Sequence, residues 1–412
     1  MDNTESSPNS AHINGYISPL KFHKTSQTVA CVGNNGGTYD EWIRDGFFKA
    51  VNLIYTQIRQ CHDEDIYIYP MFYCARHSAE LGLKIAIRNI LEIYRLKKCA
   101  IPENANKSYA THDITQLSDI LKLLIIVDNR LRAEYPSASI YLADYQDDEL
   151  SDLFRYATSV DGSPNLASAN ISSIDVDILY QHCCAITDDY SAYVALSEQL
   201  IEEYRQGTHT KELSRKQIED IAHILAPYSQ WCDPVFDERK KQIIQEYHLP
   251  SNKSFTKAVN LIRNHWEFSA IVGKEIPVPY LNEDAILSYS SCVKYISQKS
   301  LVDSTTHDDN EDDISQRLKD IQSETRTLAN LSASLTENQI SALLTFKDIG
   351  KEGYYSEQFD SVFKYMQKMD FDRTWAIRKI ASNSTSIIKG LKKCGQISLL
   401  NLLLNQLNSE SI

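Results

Sequence analysis

Arg76, His77, Glu80, Lys84 and Arg88 fall within one stretch, PMFYCARHSAELGLKIAIRNILEIYRLKK, spanning residues 70–98. Positions 76, 80, 84 and 88 recur every four residues, so a 3.6-residue repeat stacks Arg, Glu, Lys and Arg along one slowly drifting stripe, with His77 one step round from it. Arg and Lys at such spacing hold a phosphate, and a His beside a carboxylate gives or takes a proton. A structural reading uses the same residues: Glu80 pairs with Arg76 and Lys84, each exposed pair contributing about 0.3–0.5 kcal/mol, and His77 packs on a neighbouring helix. Apolar residues at 72, 73, 75, 79, 81, 83, 85, 86, 87 and 90 leave so little polar face that some of these charges must be partly buried. Buried charges are costly unless paired, and perturbed ones cluster at functional sites. Both readings stand on these residues.

Further candidates lie downstream. His112 is a second candidate acid or base; the ordinary alternative is that Thr111 or Asp113 caps the following helix, contributing around 0.5–1 kcal/mol, while His112 bonds to a loop and orients a dimer. Arg155, Tyr156 and Asp161 share a polar loop, where Arg155 either contacts phosphate or clasps Asp161. His182, Cys183 and Cys184 are adjacent on a helix and point in different directions, so no shared metal is expected there, and no metal or cofactor is expected elsewhere. The run GNNGG at 33–37 lacks a GK[ST] ending and is expected to be an ordinary turn; no GxSxG, HExxH or Walker pattern occurs.

The elements that must position these residues read as helices. Asp40 is a candidate N-cap for a helix through Trp42, Phe47, Val51, Ile54 and Ile58; HDEDIYIYP then breaks the chain, and Pro70 starts the central helix. ITQLSDILKLLIIVDNRL reads as a third helix, SIYLADY as a short strand or extended segment, and 175–206 as the helix that closes a four-helix bundle. Ser214, Asp237 and Ser254 mark later helix starts, with Gly273 as a C-cap. Helices are further expected near 314–335, 337–347, 355–368, 372–391 and 396–408.

The fold class expected is all-α and multi-domain: a flexible segment at 1–38, a helical bundle at 39–206, a middle domain at 207–300, an acidic linker at 301–316 and a C-terminal module at 317–412. Lys389, Lys392 and Lys393 invite a helix-turn-helix reading of the module, but acidic residues at 348, 352, 357, 360, 370 and 372 favour protein docking.

At 412 residues the chain has ample interior for several cores. Its net charge of −13 opposes general coating of nucleic acid, while leaving room for a local basic surface. The nine cysteines form no CxxC pair and read as reduced, small buried hydrophobes of a cytoplasmic protein. The polar N-terminus does not read as a secretory signal, and the most apolar run, 123–127, is too short to span a bilayer, so no membrane partner is expected.

PMFYCARHSAELGLKIAIRNIL resembles the P-x-x-(F/L)-x-x-R-H-x-x-E-L-x-L-K helix of a group of bacterial HEPN-like proteins. THDITQLSDIL is similar to the H-D-L-x-x-L helix start that follows it there, and FRYATSVDG resembles an F-R-Y segment of the same group. The resemblance covers roughly residues 40–205 and keeps the order of the motifs. It implies a HEPN-like, commonly dimeric bundle from a superfamily that includes RNases of toxin–antitoxin and anti-phage systems. HEPN ribonucleases carry an Arg and a His with roughly four to six residues between them, one for phosphate and one for proton transfer. That spacing is absent: Arg76 and His77 are adjacent, two residues separate Arg59 from His62, and three separate Arg205 from His209. A site would have to be assembled from separate segments, with His77, His112 and Glu80 as catalytic candidates and Arg76, Lys84 and Arg155 holding phosphate. The expectation is a bacterial defence or stress-response protein that binds, and in one version cleaves, RNA or a nucleotide, self-associates, and takes a protein partner from the same operon. The alternative is a non-catalytic helical scaffold.

Overall fold

The computed structural model describes residues 28–33, 36, 39–105, 110–159, 161–305 and 314–409, and the fold is all-α. Among the described residues there is no strand, only an isolated antiparallel bridge between Thr158 and Pro164, and no helix is long and apolar enough to cross a membrane. Most of the expected flexible segment at 1–38, including much of GNNGG, lies outside the described residues, as do 306–313 of the expected linker. The linker's flanks are helical.

The chain packs as two compact units. Of the described residues, those within 1–85, 110–118 and 137–190 form unit 1, and those within 86–109, 119–136 and 191–412 form unit 2. The first half contributes α1 (Asp40–Cys61), α2 (Glu64–Lys97), α3 (Ile114–Leu124), α4 (Asn129–Ala133), α5 (Asn165–Ser168) and α6 (Val176–Arg205). In unit 1, Val51 and Ile58 of α1, Met71, Phe72, Ala75, Ala79 and Leu83 of α2, and Leu179, Cys183 and Ile186 of α6 are buried. Phe72 stacks on Phe154 at 3.8 Å between ring centroids and meets Tyr145 edge-on at 5.3 Å.

Several sequence expectations shift here. Tyr39, not Asp40, occupies the cap position of α1, and Asp40 sits inside the first turn, where its charge complements the positive helix end. Pro70 does not start α2. The amides of Ile66 and Tyr67 already donate to Asp63 O (3.2 and 3.1 Å), so the helix forms six residues earlier and carries Pro70 inside, at the cost of the one amide that would reach Ile66 O. The third helix ends at Leu124 and continues as a 3-10 turn over Ile125–Val127. SIYLADY is no strand but part of a 3-10 helix, Ser137–Tyr145; Asp189 Oδ2 accepts from Ser137 Oγ and Ala138 N, both at 2.8 Å, and Ala138, Leu142 and Tyr145 turn inward.

Unit 2 adds α7 (Arg215–Ile224), α8 (Pro234–Glu246), α9 (Asn252–Asn264), α10 (Trp266–Ile271), α11 (Glu283–Thr305), α12 (Ile314–Leu331), α13 (Glu337–Ile349), α14 (Phe359–Lys368), α15 (Arg373–Ala381), α16 (Ser384–Lys393) and α17 (Ile397–Asn408). Ser214 caps α7 in a capping box with Gln217, as Thr336 does α13 with Gln339. α8 begins at Pro234, ahead of Asp237, and Ser251 rather than Ser254 caps α9. His265 breaks the expected long helix by capping α10, its Nδ1 accepting from Phe268 N, and the expected helix over 372–391 divides at Ser382 and Asn383. One hydrophobic core runs from Leu213 to Val272 and a second from Val278 to Leu403. α11, placed with the middle domain by sequence, buries Ala285, Ile286, Tyr289, Cys292 and Val293 in that second core. Buried Arg215 connects the two cores: its guanidinium lies between the Phe268 and Tyr355 rings (4.8 and 5.0 Å) and pairs with Glu267 and, at 2.8 Å, with Glu357.

The nine cysteines carry no disulfide, but only Cys183, Cys292 and Cys394 are buried, while Cys31, Cys61 and Cys232 are exposed, which corrects the reading of all nine as interior packing.

The backbones of α13 and α16 cross at van der Waals distance because glycine stands at the crossing. A Cβ on Gly390 would lie 2.0 Å from Phe346 O, and one on Gly350 would lie 1.8 Å from Ser386 O. Gly390→Ala should therefore destabilise unit 2 by about 2 kcal/mol or more, read as a lower midpoint in thermal melts by circular dichroism. Gly46→Ala on the exposed face of α1, where nothing lies within 4 Å, should leave stability unchanged or raise it by up to about 1 kcal/mol, with an equal or higher midpoint.

Candidate functional site

Within unit 1, α2 carries Arg76, His77, Glu80 and Lys84 past two turns, one at 110–113 and one at 146–153. Arg76 is fully enclosed. Its Nη1 donates to Glu80 Oε2 (3.0 Å), its Nη2 to the main-chain oxygens of His112 and Asp148 (2.6 Å each), and its Nε to Asp148 O at 3.1 Å, beside Asp148 Oδ2 at the same distance. Asp148 Oδ1 in turn accepts from the amides of Asp152 (2.8 Å) and Leu153 (3.0 Å). One guanidinium thus fastens the helix to both turns.

Glu80 is 1% exposed. Its Oε1 accepts from Lys84 Nζ at 2.7 Å and bonds to His112 Nδ1 at 2.9 Å. Burial by itself would raise the Glu80 pKa, but the hydrogen bonds and charges of Lys84 and His112 outweigh it and hold the carboxyl below its ordinary value. An ionised carboxylate only accepts, so His112 Nδ1 carries the hydrogen, and in the neutral ring Nε2 keeps the lone pair. The His112 side chain is 59% exposed, while its partner is sealed. A buried carboxylate that fixes the tautomer of an accessible histidine is the arrangement used for general acid–base catalysis.

His77 lies at the edge of this network, with Nδ1 4.0 Å from Glu80 Oε2. Its ring stacks on Tyr73 (5.8 Å, 4° between planes) and meets Phe47 edge-on at 4.4 Å. Burial lowers its pKa despite the opposing pull of Glu80. Arg155 is exposed and reaches the site through aromatic rings, its guanidinium 5.4 Å from Tyr73 and 5.1 Å from Tyr156. The Arg155–Asp161 clasp, one of the two alternatives for that loop, is not formed. Asp161 accepts instead from Ser159 and from Ser163 N (3.0 Å) and Oγ (2.7 Å), bonds that bring its carboxyl down to about 2, because the tight turn satisfies it locally.

The structure therefore joins Arg76, Glu80, Lys84 and His112 directly, sets His77 beside them, and links Arg155 through Tyr73. Two roles change. Arg76, expected to hold phosphate, is sealed with Nε and both terminal nitrogens bonded inside the fold, and Glu80, expected to act on substrate, positions His112 from beneath. The accessible cations are Lys84, at 21% side-chain exposure, and Arg155. At 113, Asp113 Oδ1 accepts from Gln116 N (3.1 Å), so the capping role belongs to Asp113, and Thr111 Oγ1 accepts from the Asp113 amide. Sequence reasoning missed Asp148, Tyr73 and Phe47. Tyr73 stands four residues before His77 and was open to helical spacing; Asp148 is 72 positions from Arg76 and carries no local signal.

His182 bonds through Nδ1 to Asp144 Oδ2 (2.7 Å) and stacks on Tyr141, while Cys183 is buried. Among the described residues no group of three or more His, Cys, Asp or Glu side chains is placed to hold a metal ion. Comparison with protein families, with curated proteins and with solved structures finds no match to this chain.

Arg76→Met should cost about 3–5 kcal/mol, since it removes the buried counter-ion of Glu80 and Asp148 and leaves the His112 and Asp148 carbonyls without their donor; chemical denaturation of the full chain measures it. For His77, a lowered folded pKa means that the unfolded chain takes up the proton first on acidification. Stability is then fully present above the ordinary histidine value and declines as pH falls below it. The thermal midpoint should fall between about pH 7.5 and about pH 5.5, and His77→Phe, which keeps the ring packing, should flatten that slope.

Proposed function

We propose that this chain is a cytoplasmic bacterial defence or stress-response protein in which unit 1, a HEPN-like and self-associating bundle, binds RNA or a nucleotide at the edge formed by Lys84, His112, His77 and Arg155. In cleavage His112 Nε2 takes the proton of a ribose 2′-hydroxyl as that oxygen bonds to the adjacent phosphorus and the P–O5′ bond breaks, the departing 5′-oxygen taking a proton from solvent; Lys84 and Arg155 offset phosphate charge, and Glu80 and Arg76 hold His112 in place. The observation that carries this reading is the single buried carboxylate shared by Lys84 Nζ and His112 Nδ1, with His112 accessible. The defence context and the partner from the same operon rest on the resemblance of residues 70–91 and 111–121 to HEPN-like proteins.

A second reading, a non-catalytic scaffold, draws on the enclosure of Arg76 and Glu80, whose bonds by themselves account for the pairing of α2 with its two turns.

Expression of the wild type and of His112→Ala and Lys84→Met variants in a bacterial host, with and without phage, separates the two. The proposal expects RNA fragmentation and phage protection from the wild type. His112→Ala should cut the rate of RNA cleavage by about 100-fold or more, the size of a lost acid–base contribution. Intact RNA with full protection from both variants would establish the scaffold instead.

A further inference from the structure

Lys97, the last residue of α2, lies in unit 2. Its ammonium donates to Val127 O at 2.7 Å and sits 5.0 Å from the Tyr204 ring centroid. Among the described residues these are its polar and ring partners, and no carboxylate pairs with it, so two of its three N–H donors remain. The adjacent acid is already closed off. Asp128 Oδ1 accepts from Arg130 N (2.9 Å) and Nε (3.1 Å), and Oδ2 accepts from Arg130 Nη2 (2.8 Å) and Tyr204 Oη (2.7 Å). Arg130 turns its remaining donors on Glu203 in a bidentate pair, at 2.7 and 3.0 Å. Burial drives the Lys97 pKa down, with Asp128 only partly opposing it. A half-buried ammonium without a counter-ion is costly, and an anion would relieve it.

Lys97 opens onto a cavity of about 330 Å³, at the small end for ligand sites. Ser214 and Gln217 on its wall hold each other in the α7 capping box, and Lys216 pairs with Glu219 (3.2 Å) and Asp220 (3.1 Å). Exposed Lys211 makes no hydrogen bond or ion pair among the described residues, and Glu212 Oε2 is buried without a hydrogen-bond partner. A bare anion would satisfy the lysines and be repelled by Glu212. A ligand that also offers an O–H satisfies all three.

We infer that this cavity binds a phosphate monoester bearing hydroxyl donors, a sugar phosphate or mononucleotide, with its phosphate on Lys97 and Lys211 and a hydroxyl on Glu212. The site is separate from the one proposed in unit 1 and does not depend on it.

Isothermal titration of the full chain with ribose 5-phosphate, AMP and inorganic phosphate tests the inference. At least one ester should bind about tenfold or more tighter than inorganic phosphate, and which ester wins separates a sugar phosphate from a nucleotide ligand. Lys97→Met and Lys211→Glu should each weaken the ester by about tenfold or more. Lys211 is exposed, so its variant holds even if Lys97→Met fails to fold. No heat up to about 10 mM of any ligand, equal affinity for inorganic phosphate, or binding unchanged in Lys211→Glu would each overturn the inference.

Discussion

A carboxylate withdrawn almost completely from water stays ionised only where fixed positive donors replace the solvent it has lost. Glu80 meets that demand from three directions: Arg76 one turn before it, Lys84 one turn after it, and His112 from another segment. The first two partners come free with the helix. The third does not, and the geometry of unit 1 around α2 follows from supplying it. Arg76 brings the His112 main chain to the helix by donating to its carbonyl, and the same guanidinium holds the turn at Asp148. Removing the charge at 80 would take one shared partner from Arg76, Lys84 and His112 at once, so packing and site chemistry rest on one group.

Unit 2 solves the same problem with different hardware. Arg215 ties its two hydrophobic cores through Glu267 and Glu357, with His265 Nε2 3.0 Å from Glu357 and aromatic rings on both faces of the guanidinium. Burial would raise the Glu357 pKa, but the bonds from His265 and Arg215 drive it far below the ordinary carboxylate range. The Asp128–Arg130–Glu203 group is likewise closed upon itself. Lys97, by contrast, is a half-buried cation with no carboxylate partner among the described residues, and it opens onto a cavity.

The all-α class was legible in the sequence because 3.6-residue periodicity and cap residues are local signals, and most helix positions followed. The errors arose where tertiary context overrode a local rule. Pro70 reads as a start, but a turn already nucleated on Asp63 runs through it. SIYLADY has strand composition, yet Asp189 fixes its first turn and converts it to a 3-10 helix. The stripe of Arg76, Glu80 and Lys84 was legible down to its pairing, since helical spacing dictates it. That Arg76 and Glu80 are sealed and His112 exposed was not, because burial of one face depends on partners such as Asp148 that lie 72 positions away without any periodic relation. The functional direction came from motif resemblance, while the division of labour between a buried carboxylate and an accessible histidine came only from three-dimensional geometry.

Ionised Glu80 fixes the His112 ring. Long-range ¹H–¹⁵N correlation spectra of ¹⁵N-histidine-labelled protein, recorded with the rings neutral and with His112 assigned by its Ala variant among the eleven histidines, test it directly. The account predicts a single His112 tautomer with hydrogen on Nδ1 and an unprotonated Nε2. A ring protonated on Nε2, or one exchanging freely between the two tautomers as a solvated histidine does, would contradict it.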